Sequence, residues 1–317
     1  MNVTTLPTTS HNFTWTIDTL SAPGPWSSYL MDVAIVDEDN IWVMGNIETD
    51  SGRYNLAKWD GIFWTLSNVG PVGNNLYSIH VFTENDVWVS NICSPYHWDG
   101  SEWTYYRFSS GGVGVNACAG NAIWGSAPDN VYFVGKNGSI VHYDGSGFTR
   151  MESGTERDLL AISGLPVAGT WQPWVAGAVG PLVRYGDAWH VLGDPDQPGV
   201  ITTAKGLADG AMLTMHWNGR RSRLTLHRPA PASLAVPMDS VAGYIASLAG
   251  LANNDIILAG TYNRLWHFNG LDVKSYPQLE GGGNFPGAAW QEATVCVVGY
   301  TGGSLPQAIV VRGEKIQ

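Results

Sequence analysis

The sequence predicts an all-β protein, a seven-bladed β-propeller of four-stranded blades, and three observations predict it. A unit of four short apolar segments separated by turns recurs along the 317 residues. One column in the second segment of each unit steps through Trp42, Trp88, Tyr132, Trp174, Met212, Ile257 and Cys296, at intervals of 38 to 46 residues. Roughly 40–45 residues is the length of one four-stranded blade. The segments also alternate apolar and polar residues and end in Asp-Asn, Asp-Gly and Asn-Gly turns. A helical solenoid of similar period would show 3.6-residue patterning instead.

The units run in order along the chain. The first reads MDVAIVDEDNIWVMG and then YNLAKWDGIFWTL; the second reads YSIHVFTENDVWVSN and SPYHWDGSEWTYY. The third reads NAIWGSAPDNVYFVG and NGSIVHYDGSGFTRM, and the fourth LLAISGLPVAGTWQPWVAG and PLVRYGDAWHVL. The fifth, about 200–238, is the most degenerate, with ITTAKGL, AMLTMHW, RLTLHR and SLAVPM as its strands; its HWNG is either a turn of its own or a shifted copy of HWDG. YIASLAGLANNDIILAG with RLWHFNGLDVKSY makes the sixth, and FPGAAWQEATVCVVG with QAIVVRGEK the seventh.

The seventh unit ends after its third strand, near Arg312. The missing fourth strand is read at the other end of the chain, where Trp15-Thr16-Ile17 matches Trp64-Thr65-Leu66 and Trp103-Thr104-Tyr105. Residues 13–20 are therefore expected to complete the last blade, which removes an open sheet edge. The expected organisation is a linker or the end of a preceding domain at 1–12 and the propeller at 13–317.

Composition narrows the function classes. Charged residues make up 14% of the chain, glycines number 39 and tryptophans 15, as suits short loops and aromatic packing. The net charge is −11 and the 16 lysines and arginines form no basic run. Nucleic acid and anionic membrane surfaces are thereby excluded as expected partners. No stretch has the ~20 apolar residues of a membrane span. The N-terminus MNVTTLPTTSHNF lacks a signal peptide's basic and apolar regions. The chain is accordingly expected to be cytosolic or a module of a longer exported protein. The three cysteines are no disulfide framework; Cys93 and Cys118 pair across neighbouring units, or all three are buried thiols.

Motifs within the repeat read as structure. Trp59-Asp60-Gly61, Trp98-Asp99-Gly100, Tyr143-Asp144-Gly145 and Phe268-Asn269-Gly270 are hairpin turns preceded by an aromatic that packs between blades. A basic column, Lys58, His97, His142, Arg184, His227, His267 and Arg312, precedes these turns. Equivalent positions in different blades stand around a ring, too far apart to share one ion, so these side chains are expected to lie over blade packing and no metal is expected. The acidic turns at 37–40, 84–86 and 129–130 lack calcium-loop spacing. No nucleophile elbow, phosphate loop, metalloprotease motif or sialidase-type Asp box occurs, so no catalytic residue and no cofactor is expected.

Departures from the repeat are the candidate site. The second-to-third-strand segment 46–53 is long and polar, and irregular connections at 68–75, 109–116, 192–199 and 280–284 are expected on the same face. Function concentrates in such loops. Glu48, Asp50, Arg53, Tyr54, Asp194, Asp196 and Glu280 are the candidate ligand-binding residues.

The N-D-x-W-x-V-G strand followed by H-W-D-G-x-x-W resembles uncharacterised WDG-repeat propellers of bacterial cell-envelope proteins, notably from Bacteroidota and Ignavibacteria. The resemblance covers nearly the whole chain and is strongest before Met151. In that group a stretch like TTSHNFTW often follows a fibronectin type III-like domain, and residues 3–9 resemble the last strand of one. The resemblance implies an extracellular or lipoprotein-borne module and transfers no catalytic residues. The expected function is non-enzymatic recognition of a glycan or a cell-envelope protein on the loop-rich face, by a monomeric module of a larger chain. The alternatives are a polysaccharide-processing enzyme with paired carboxylates at the channel mouth and a purely structural module.

Overall fold

The computed structural model describes residues 7–316 except 23–25, 72, 168, 178–181, 186–187, 192–199, 208–211, 218–221, 228–233, 236–240 and 242. The fold is all-β and propeller-like: among the described residues, strands form seven four-stranded antiparallel sheets, with two short 3-10 turns between them. Strand β1 (Phe13–Thr19) is followed by the first sheet: β2 (Tyr29–Asp37), β3 (Asn40–Thr49), β4 (Gly52–Trp59) and β5 (Trp64–Ser67). The second holds β6 (Ser78–Thr83), β7 (Asp86–Ser90), β8 (Pro95–Trp98) and β9 (Trp103–Tyr105). The third holds β10 (Ala122–Ala127), β11 (Asn130–Val134), β12 (Ile140–Tyr143) and β13 (Phe148–Met151). The fourth is β14 (Leu159–Val167), β15 (Thr170–Gly177), β16 (Leu182–Tyr185) and β17 (Ala188–Val191). The fifth is β18 (Val200–Gly206), β19 (Met212–Trp217), β20 (Ser222–His227) and β21 (Leu234–Ala235). The sixth is β22 (Ile245–Ala252), β23 (Asp255–Gly260), β24 (Leu265–Phe268) and β25 (Val273–Ser275). The last has the order β1-β28-β27-β26, from β26 (Asn284–Gln291), β27 (Thr294–Tyr300) and β28 (Ala308–Lys315).

Each sheet is hydrophobic on both faces because it packs between two others. In β3, Ile41, Val43 and Ile47 join Cys296, Val298 and Val310 of the last sheet. The alternate residues Trp42 and Met44 join Ile79, Val87 and Val89 of the second sheet. A period of two thus sends successive side chains to opposite neighbours. Each fully buried aliphatic contributes roughly 1.5–3 kcal/mol. The first strands of the sheets are in contact in sequence: β2 with β6, β6 with β10, and so on through β14, β18, β22 and β26, and β26 again with β2.

Strand β1 pairs antiparallel with β28 along its whole length, from Phe13 opposite Lys315 to Thr19 opposite Ile309. Phe13 and Trp15 stack on each other and against Tyr276 and Trp290. Asp18 accepts hydrogen bonds from Arg312 and from the Trp64 indole. Residues 7–12, expected as linker, are tied to the sixth sheet. Thr9 donates to the Asp255 carboxylate at 2.8 Å, and His11 contacts His267 through their Nδ1 atoms at 2.7 Å. Residues 3–6 lie outside the described residues.

Two local expectations change. The segment 46–53 is not a long loop, because β3 and β4 extend through it with Glu48 opposite Arg53, leaving a tight turn at Asp50 and Ser51. HWNG is not a copy of HWDG, because His216 and Trp217 end β19, the second strand of their sheet. The cysteine alternatives resolve: Cys93 and Cys118, 25 residues apart, form a disulfide, and only Cys296 is a buried thiol. Among the described residues no helix is long and apolar enough to cross a membrane.

Candidate functional site

The sequence-predicted residues separate into local pairs. Glu48 is buried and forms an ion pair with Arg53, whose guanidinium lies 4.8 Å above the exposed Trp26 ring. Tyr54 shares a hydrogen bond with Ser51, and Asp50 is exposed at the turn. Glu280 pairs instead with Arg264 at 3.6 Å, near the last sheet. Asp194 and Asp196 lie outside the described residues.

The basic column pairs within its own sheets and with adjacent ones. His97 stacks on Trp88 and bonds Asp86 at 2.9 Å; His142 stacks on Tyr132 and bonds Asn130 at 2.8 Å. Lys58 sits over Trp42, and Arg312 over Trp59. These side chains cover packing and close turns. The side chains of Arg184 and His227 lie outside the described residues. No group of three or more His, Cys, Asp or Glu is gathered for a metal ion among the described residues.

A different feature dominates the interior. The first strands of all seven sheets surround a cavity of about 670 Å³. The rings of Tyr77, Trp124, Trp171 and Tyr244 line it, together with three ionisable side chains, Asp32, His80 and Lys205. They come from β2, β6 and β18, of the first, second and fifth sheets.

Most polar groups on these inner strands serve the architecture. An inner strand has an unpaired edge, whose amides need acceptors. A β-bulge between Leu30 and Asp32 re-aims Asp32. Its Oδ2 accepts from the Ile79 amide at 3.0 Å and its Oδ1 from the Val33 amide at 2.9 Å. The Ser78 hydroxyl accepts from the Ile123 amide, His80 Nε2 from the Gly125 amide, and the Ser163 hydroxyl from the Gly206 amide. The Ser247 hydroxyl donates to the Phe285 carbonyl. Inner strands are thus stitched to their neighbours by side chains.

Lys205 stitches nothing. Among the described residues its ammonium has neither a hydrogen-bond nor an ion-pair partner. Burial lowers its pKa, opposed by the charge of Asp32. Burial also raises the Asp32 carboxyl to about 6, against the pull of the amides it accepts. The His80 ring is lowered to about 4 by burial and by the Lys205 charge. All three side chains are enclosed by protein yet retain some accessible surface. Because a backbone amide can only donate, Nε2 of neutral His80 is the acceptor and the proton sits on Nδ1. Its basic lone pair is therefore occupied. Asp32 is the only carboxylate among the described lining residues, so no pair of the kind glycoside chemistry uses is present among them. The arrangement suits binding of a mixed apolar and anionic group.

Loop reasoning missed this trio because each member sits inside a strand. The available signal was a charged or titratable residue in an otherwise apolar first strand: MDVAIV, YSIHVF and TTAKGL.

No protein-family model matches the chain, and no curated protein matches it in sequence. Solved structures do match in fold. YCF48 bound to a D1 peptide is 14% identical with a TM-score of 0.71, covering 98% of this chain and 99% of that one. A catalytically inactive virginiamycin B lyase from Staphylococcus aureus with quinupristin is 10% identical with a TM-score of 0.75, covering 96% and 100%. The extracellular domain of a hybrid two-component system from B. thetaiotaomicron is 12% identical with a TM-score of 0.67, covering 94% of this chain and 42% of that one. At these identities the likeness is one of fold.

Proposed function

We propose that this protein is a non-enzymatic recognition module, a seven-bladed propeller whose β1 completes the last blade, and that it binds a segment of a protein partner in its central cavity. The observation that carries the reading is the cavity itself. Its volume lies in the range of ligand sites, and it combines aromatic walls with a few convergent polar groups. The likeness in fold to YCF48, solved with a D1 peptide, supports a peptide as the ligand. The single lining carboxylate and the occupied His80 lone pair support binding over catalysis. The likeness to virginiamycin B lyase keeps turnover as an outcome to be assayed.

The module is proposed to act outside the cytoplasm. Disulfides persist in oxidising compartments, and Cys93–Cys118 joins two neighbouring sheets. The likeness to an extracellular domain supports the same placement.

The test is a random peptide library and a glycan array screened in parallel with the wild type and two variants. Trp171→Ala opens the cavity wall; the triple replacement of Glu48, Asp50 and Tyr54 by alanine alters the loop face. Peptide binding lost only in Trp171→Ala supports the reading. Glycan binding lost only in the triple variant would move the site to the loop face, the location expected from sequence.

A further inference from the structure

We infer that Lys205 anchors an anion subsite in the cavity, and that the group it takes is a carboxylate of an extended peptide, either its free C-terminus or an acidic side chain. The inference rests on the cavity being the binding site.

The inner-strand polar groups are unevenly satisfied. Asp32, Ser78, His80, Ser163 and Ser247 each bond a neighbouring inner strand. Lys205 lies among them, lines the same cavity and bonds nothing among the described residues. A charge removed from bulk water is costly unless it is paired, and packing alone does not require one here. No described residue pairs with it, and the inferred counter-ion is a ligand group.

The surroundings select its type. Asp32 and His80 face Lys205 from the first and second sheets, close enough to act on it electrostatically, yet neither forms an ion pair with it. Tyr77 and Tyr244 are the other titratable groups on the described lining. The single ammonium matches one negative charge, and Asp32 already opposes it from across the cavity, which limits the ligand group to a monoanion. A dianionic phosphate would set a second negative charge beside Asp32. His80 keeps its Nδ1–H as a spare donor for a carboxylate oxygen, since Nε2 is engaged by Gly125. Trp124 and Trp171 supply apolar surface for the residues flanking the charge.

The experiment titrates the full chain at pH 7.5 with three probes, reading intrinsic tryptophan fluorescence. The probes are acetyl-trialanine with a free carboxylate, its C-terminal amide, and acetyl-Ala-Glu-Ala-amide. The free acid, the glutamyl probe or both should bind at least about tenfold more tightly than the plain amide, as a charge-assisted bond implies. The stronger of the two charged probes identifies the source of the carboxylate. Lys205→Met should abolish that preference while melting no lower than wild type, because it removes an unpaired charge. Asp32→Asn should strengthen the charged probes and leave the plain amide unchanged. A measurement on the wild type alone guards against misfolded variants: acetic anhydride labelling of Lys205, read by peptide mass spectrometry, should slow with the charged probe and not with the amide. Equal binding of all three probes, a preference retained in Lys205→Met, or unprotected Lys205 overturns the anion subsite and leaves the cavity reading standing. Probe binding unaffected by Trp171→Ala, or no binding of any probe, overturns both.

Discussion

The outer turns and the inner strands of this propeller follow opposite rules. At the outer turns four of the sheets repeat the same local device. Asp60, Asp99, Asp144 and Asn269 accept amides two and three residues ahead, and Gly61, Gly100, Gly145 and Gly270 take φ between +87° and +94°. The Asp or Asn closes an Asx turn; the glycine alone supplies the left-handed conformation. On the inner strands no such repetition holds. One sheet contributes Asp32, the next His80, another Lys205, and the remaining sheets contribute no charged residue among the described lining. The difference shows where each kind of information resides: repetition builds the frame, and its failure marks the cavity wall.

Four measurements put this contrast at risk, beginning with the largest effect. Deleting residues 1–22 removes the β1 pairing and the Phe13 and Trp15 packing. A loss above roughly 5 kcal/mol is expected, since removing one packed Phe or Trp ring costs ~3–5 kcal/mol. Urea unfolding measures it, and an unchanged midpoint would reject closure of the last blade by β1. Replacing Cys93 and Cys118 by serine releases a loop spanning 25 residues. The chain-entropy model puts the cost near ~3–4 kcal/mol, read as a lower unfolding midpoint; dithiothreitol should lower the wild type alike and leave the double variant unmoved.

The third measurement concerns pH. Asp32 is raised to about 6 from 3.8, so its folded state binds the proton more tightly than the unfolded chain. Its contribution is full below pH 3.8 and is lost as pH rises through 6, by up to about 3 kcal/mol. His80 is lowered to about 4 from 6.5, so its contribution is full above pH 6.5 and is lost as pH falls through 4, by a similar amount of about 3 kcal/mol. The two losses overlap between pH 4 and 6. Asp32→Asn should leave stability rising with pH across that window, and His80→Gln should leave it falling. Urea midpoints at pH 4, 5, 6 and 7 decide; parallel curves for both variants would show that the two groups are not buried as described. The smallest effect belongs to a single outer turn. Gly100→Ala forces a side chain into φ +94° and brings its Cβ to 3.0 Å from Asn85. It should cost roughly 1–2 kcal/mol in thermal unfolding while leaving peptide binding unchanged.

Much of the frame was legible because it is local. Alternating strands, Asx turns and the column from Trp42 to Cys296 depend on residues close in sequence. The match of Trp15-Thr16-Ile17 to other fourth strands pointed to the β1–β28 pairing even though it joins the two ends of the chain. The candidate site was less legible. Glu48 and Arg53 are neighbours across one hairpin, so their conspicuous charges satisfy each other. The loop expected at 46–53 became strand because the β3–β4 ladder continues to the turn.

Residue order alone dictates the strand pattern, the turn chemistry and the segments that stack as blades, since a period of two and a glycine at positive φ are properties of short stretches. It took the packed molecule to bring Cys93 to Cys118 and to set Asp32, His80 and Lys205 around one cavity. Lys205 stands more than a hundred residues from both of its electrostatic partners, and their convergence depends on how seven sheets are arranged, which no local pattern records.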